Sequence, residues 1–126
     1  MNMKKFIFCL IALVVAVVMT SCEKEVDLGY PQTVNFAKDG GEKTVTGVEP
    51  FTDAHIHDYK SGDDGEFVPR EDDIQCQVYE WLTIEYLANS TELKIIAEPN
   101  TSGKSRQLHI ELHSGQEYHV IKVEQE

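Results

Sequence analysis

The chain has 126 residues, with 11 basic and 22 acidic side chains and a formal charge of −11 at neutral pH. That length suits one domain, and the acidic balance excludes nucleic acid as a partner, because phosphate contacts need clustered Lys and Arg. The apolar fraction of 41% is ordinary for a globular protein but is unevenly spread along the chain.

Lys4 and Lys5 form a short basic stretch ahead of a continuous apolar run, Phe6–Met19. Its 14 residues are too few to span a bilayer, which needs about 20, but they suit the apolar region of an export signal. Thr20-Ser21-Cys22 follow, small residues before a cysteine, and the order resembles a bacterial lipobox. That resemblance implies removal of 1–21 as a lipoprotein signal peptide and acylation of Cys22 as the new N-terminus. Processing would leave 105 residues and, with both early lysines lost, a net charge of −13. One acyl chain anchors marginally at about 0.8 kcal/mol per buried methylene, and two or three anchor stably. Residues 22–32 then read as an acidic tether. Glu23-Lys24-Glu25-Val26-Asp27 within it resembles the signals that carry lipoproteins to the outer membrane surface in the Bacteroidetes. The expected location is the outer membrane, lipid-anchored, facing the surface or the periplasm.

From Thr33 the chain reads as short strands between turns. The runs are Thr33–Ala37, Glu42–Gly47, Ala54–Tyr59, Gln75–Tyr79, Trp81–Leu87, Glu92–Glu98, Arg106–His113 and Glu117–Glu124. Lys38-Asp39-Gly40-Gly41 supplies an Asp-Gly turn that predicts a hairpin between the first two. Leu108, Ile110 and Leu112 alternate with Gln107, His109, Glu111 and His113, the period of a half-buried strand. Ser61–Asp73 holds six acids in 13 residues, a composition that predicts a long mobile loop. Cys9 leaves with the signal and Cys22 takes lipid, so Cys76 is expected to be a lone, buried, inert thiol on the inward face beside Ile74 and Val78. The fold class expected is all-β, a single β-sandwich of seven or eight strands over 33–126, behind the cleaved signal peptide.

Several short motifs carry a family resemblance. They are Val34-Asn35-Phe36, Gly40–Val45, Trp81-Leu82-Thr83-Ile84, Leu93–Ile96, Asn100-Thr101-Ser102 with Arg106, Leu108–Leu112, and a closing Val120–Gln125. Together they resemble the BACON domain (Bacteroidetes-associated carbohydrate-binding, often N-terminal), over roughly 33–125. The resemblance implies an immunoglobulin-like sandwich and a role in sugar binding. A second tryptophan usual in that family before the Trp-Leu strand is replaced here by the stretch Gly47–Gln77 with its acidic loop.

Carbohydrate recognition needs exposed aromatic faces, and Tyr59 and Phe67, beside or inside the loop, are the candidates; Trp81 is expected in the core. Among the five histidines, zinc or copper ligands are offered by His55 and His57 with Asp53 on one strand face, and by His109 and His113 with Glu111 on another. If Ser114-Gly115 is the whole turn, His119 faces inward with Ile110 and Leu112; a one-residue bulge would bring it beside Glu111. Calcium at Asp63, Asp64, Glu66, Asp72 and Asp73 lacks any EF-hand spacing. No cofactor is expected. Hydrolase, phosphate-loop and metalloprotease motifs are absent from the sequence, so an enzyme is not expected. The reading is a lipid-anchored, non-catalytic module that binds glycans or mucin or acts as a spacer. The rival is a structural or protein-interaction subunit of an outer-membrane assembly.

Overall fold

The computed structural model describes residues 23–126; the signal peptide expected over 1–21 and the lipidation expected at Cys22 lie outside the described residues. The strands are β1 Lys24–Glu25, β2 Thr33–Phe36, β3 Gly41–Phe51, β4 Asp53–His57, β5 Glu66–Phe67, β6 Gln75–Tyr79, β7 Leu82–Tyr86, β8 Ser90–Ala97, β9 Arg106–Ser114 and β10 Glu117–Gln125. They form two five-stranded sheets. In the first, β4, β9 and β10 pair antiparallel, and β1 and β2 follow one another along the free edge of β10, both parallel to it. The second runs β3-β8-β7-β6-β5, antiparallel throughout. The fold is therefore an all-β sandwich, with ten strands where seven or eight were expected; the additions are the two-residue β1 and β5.

Alternation decides which side chains enter the core. In β9, Leu108, Ile110 and Leu112 point inward while Gln107, His109, Glu111 and His113 point outward. Ile121 and Val123 on β10 and Ala54 and Ile56 on β4 complete the first inner layer, against Phe51, Leu82, Ile84, Leu93 and Ile95 of the second sheet. Trp81 is buried with them. The β9–β10 turn is Gly115-Gln116 rather than Ser114-Gly115, with Ser114 paired to Glu117; it sets His119 opposite Leu112, so the ring still faces inward.

Four expectations change. Gly40 adopts the positive φ foreseen for its turn, but no hairpin forms, because β2 joins β10 while β3 crosses to the other sheet beside β8. The second concerns residues 22–32, which from Lys24 onward are part of the sandwich rather than a tether. Leu28 and Tyr30 are each only 4% exposed. Leu28 N–H donates to His119 Nδ1, whose Nε2 in turn faces the Pro31 carbonyl at 3.1 Å. The Tyr30 ring lies where any side chain at Gly47 would sit, and its hydroxyl donates to the Glu49 carbonyl. Apolar residues at alternate positions thus outweigh the charges beside them.

The third is Ser61–Asp73, which is built into the sandwich side rather than left free. Gly65 N–H donates to the Ile56 carbonyl of β4, and Glu66–Phe67 then pairs with β6, so the segment passes from one sheet to the other. Arg70 bridges Asp72 and Glu85, both at 2.8 Å, and holds the Asp72 carboxyl below its ordinary range. Cys76 is the fourth. It is buried, but on the outward face opposite Glu85, while Gln77 takes the inward position opposite Ile84. Burial and the neighbouring Glu85 carboxylate push the thiol up from its usual value.

Candidate functional site

The outward face of the first sheet gathers residues that lie far apart in the chain. The register sets Asp53 against His113, His55 against Glu111, and His57 against His109, and on the other side Tyr118 against His113 and Lys122 against His109. Because each of these strands buries its alternate residues, the polar and aromatic ones are all delivered to this one face.

Two rings stand above it. The chain turns after His57, and Tyr59 folds back so that its ring stacks on His109, with centroids 4.2 Å apart and planes at 21°. Its edge meets His57 at 4.8 Å, and its hydroxyl donates to Glu111 at 2.9 Å. Partial burial, and then that bond, raise the Tyr59 hydroxyl well above its ordinary value. Half of the residue remains exposed. Phe67, 51% exposed, packs edge-on to His55 at 6.2 Å. Near the turn end of β9, His113 lies between His55 and a stacked Tyr118. The two ring candidates named from the sequence are thus brought to one face by the histidines between them.

The imidazoles are held by acids. His55 pairs with Asp53 at 2.8 Å and His113 with Glu111 at 3.4 Å, while His57 is bonded to Asp64. Desolvation under Tyr59, with Lys122 nearby, pulls His109 below the usual histidine range, and its ring is the flat bed on which Tyr59 stacks. Of the residues named for zinc or copper, His55 turns to Asp53 and His113 to Glu111, while His57 meets Asp64 of the acidic loop. Among the described residues no group of three or more His, Cys, Asp or Glu side chains is placed to hold a metal ion. The carboxylates considered for calcium do not converge either, since Asp72 is taken by Arg70 while Asp63, Asp64 and Glu66 line a separate groove.

Toward the C-terminal end of β10 the same face continues into an open groove of about 640 Å³, lined by Asn35, Lys60, Gln107 and Glu124 among others. The ring platform is therefore flanked by amides, a carboxylate and an amine. Tyr118 and the histidine bed were not foreseen as parts of a ring surface. The period of two placed each strand's residues on a face, but only the β4–β9–β10 pairing brings those faces together.

A different set of residues closes the end of the sandwich remote from Ser114. Arg106 lies over the Trp81 ring at 4.6 Å, donates to Gln125 Oε1 at 2.8 Å and reaches the carbonyls of Glu98 and Pro99. Gln125 donates to the carbonyls of Ala37 and Glu98, and Asn100 to those of Lys104 and Glu126. Residues 71–126, which contain most of this network, match a family model described as "Putative binding domain, N-terminal". The matching family is BACON.

The BACON match spans β6–β10 and agrees with the resemblance carried by Trp81-Leu82, Asn100-Thr101-Ser102, Arg106 and the closing strand. Those residues hold the fold together, whereas Tyr59, Phe67, His55 and His57 precede the matched stretch. An NMR structure of a protein from Bacteroides thetaiotaomicron is similar in fold, with a TM-score of 0.53 and 15% identity over 78% of this chain and 82% of that one. No curated protein matches the chain.

Proposed function

We propose that this chain is a non-catalytic glycan-binding module, lipid-anchored through Cys22 at the outer membrane and facing the surface or the periplasm. The observation that carries the reading is the pair Tyr59 and Phe67, half-exposed rings fixed above a bed of histidines on one flat face. A sugar ring presents axial C–H groups that settle on such a surface, and its hydroxyls need acceptors and donors at the rim. Asp53, Glu111, Gln107, Asn35 and Glu124 are of that kind. The face is long and open rather than a closed cleft, which suits a chain of several rings and offers no water-excluded chamber for chemistry. The surrounding carboxylates favour neutral glycans over sulfated or sialylated ones. The family description, a binding domain, supports the same class.

A protein partner adding a strand to a sheet edge is less well supported at β4. There the outward backbone groups of Ala54 and Ile56 are already bonded to Gln77, Tyr86 and Gly65.

A glycan array probed with residues 23–126, and with Tyr59→Ala and Phe67→Ala, tests the proposal. Neutral glycans should bind, and each variant should bind at least tenfold more weakly, about 1.4 kcal/mol, with an unchanged unfolding temperature. Undiminished binding by both variants would move the site elsewhere, and an array without hits would remove the glycan reading.

A further inference from the structure

β1 begins at Lys24, two residues beyond Cys22. Lys24 N–H donates to the Gln116 carbonyl and Val26 N–H to that of Tyr118, so this strand is fastened to the start of β10. Two residues of extended chain reach about 7 Å. A lipid on Cys22 therefore holds the β9–β10 turn within about that distance of the bilayer surface, with no slack to swing.

The turn belongs to a defined end of the sandwich. Thr52 N–H donates to the His113 carbonyl, and Asn89 N–H to that of Phe51, which brings the β3–β4 and β7–β8 connections level with Ser114–Glu117. The side chains presented there include Ser114, Gln116, Thr52, Asn89 and a Leu87 that is 50% exposed, and the connection into β6, which enters opposite Tyr86, adds Glu71 and Asp73. Glu117 sits in register with Lys24, so acid and base face each other across the strands. Among the described residues, Glu23, Glu71 and Asp73 have no ion-pair partner at this end, so contact here is with zwitterionic headgroups rather than anionic ones, which would repel it.

We propose that this end lies directly against the lipid headgroups of the chain's own membrane, with β1 as a rigid stalk and the sandwich standing upright. The inference rests on the lipidation of Cys22 proposed above. β10 rises about 3.3 Å per residue, so its nine residues place the Trp81–Arg106 end roughly 30 Å farther out. The ring-bearing face then stands along the membrane normal, with Tyr118 and His113 lowest and Gln107 and Glu124 highest. A glycan lying along β9 would enter from above rather than from the side of the membrane.

The test uses the full chain, processed in a lipoprotein-producing host and reconstituted into phosphatidylcholine vesicles containing headgroup-nitroxide lipid. Single fluorophores are attached in a Cys76→Ala background at Leu87→Cys and Gln116→Cys on the proposed lower end, and at Asp39→Cys and Ser102→Cys on the upper. Quenching should be several-fold stronger at 87 and 116. A Gly/Ser insert of about 15 residues between Cys22 and Glu23, spanning roughly 20 Å, should abolish that difference. Equal quenching at all four sites in acylated protein of native length would overturn the upright placement while leaving lipidation intact. Mass spectrometry showing no acyl group on Cys22 would overturn both.

Discussion

Gln77 is fully buried on the inner face of β6, where a strand of this kind normally places an apolar side chain. Its amide carbonyl accepts from Ile56 N–H and its amide nitrogen donates to the Ala54 carbonyl, both on the edge of β4. One side chain thus performs the pairing that a neighbouring strand would otherwise provide. Gly65 is its complement, since a side chain at that position would collide with the Gln77 amide. Gln77→Leu preserves volume and adds apolar character, yet leaves the Ile56 N–H without a partner, at about 1–3 kcal/mol, and the Ala54 carbonyl with only the Tyr86 hydroxyl at 3.4 Å. The variant should lose about 1–3 kcal/mol in equilibrium urea unfolding; an unchanged midpoint would mean that water replaces the amide at that edge. Sequence periodicity misassigns this site for the same reason that the site matters. Alternation through Ile74-Gln75-Cys76-Gln77-Val78 favours the thiol inside and the amide outside, and only the need to satisfy the β4 backbone reverses them.

At the scale of an element, residues 24–32 show how charge can conceal a strand. Glu23, Glu25 and Asp27 suggest a solvated tether, but Val26, Leu28 and Tyr30 fall at alternate positions, and the last two fill core space against His119, Gly47 and Phe51. Burying each of those two side chains is worth about 1.5–3 kcal/mol, against a total of about 5–15 for a domain of ordinary stability. A chain beginning at Thr33 should therefore unfold with about 3–6 kcal/mol less stability than residues 23–126, a drop visible in calorimetry. Identical melting of the two would show that the segment contributes no packing. β9 lies at the other extreme: its alternation is unbroken, and its face assignment follows from sequence alone. The acidic segment is intermediate, because its composition indicates a long connection but not that Arg70, Gly65 and Phe67 fix it to the sandwich side.

For the whole molecule, what could not be read was pairing between distant strands. The sequence shows that His55 and His57 share one face and that His109 and His113 share another. That the two faces are continuous depends on β4 lying beside β9, a contact across some fifty residues. Once it forms, Tyr59 can reach Glu111, and the ring platform exists. The platform also inherits the field of the chain, −11 overall, with Asp53, Asp64 and Glu111 at its margin and Lys122 already paired to Glu124. Fields of this kind act on a charged ligand over about a Debye length, near 8 Å at physiological salt and 3 Å at 1 M. A neutral glycan and its sialylated counterpart should accordingly differ most in affinity at low ionic strength. Titrated by calorimetry against residues 23–126, the ratio of their Kd values should fall toward unity as sodium chloride is raised, with the neutral ligand's own affinity nearly constant. A ratio unmoved by salt would place the discrimination in shape rather than charge. Steric exclusion at Tyr59 and Phe67 would then be the property to examine.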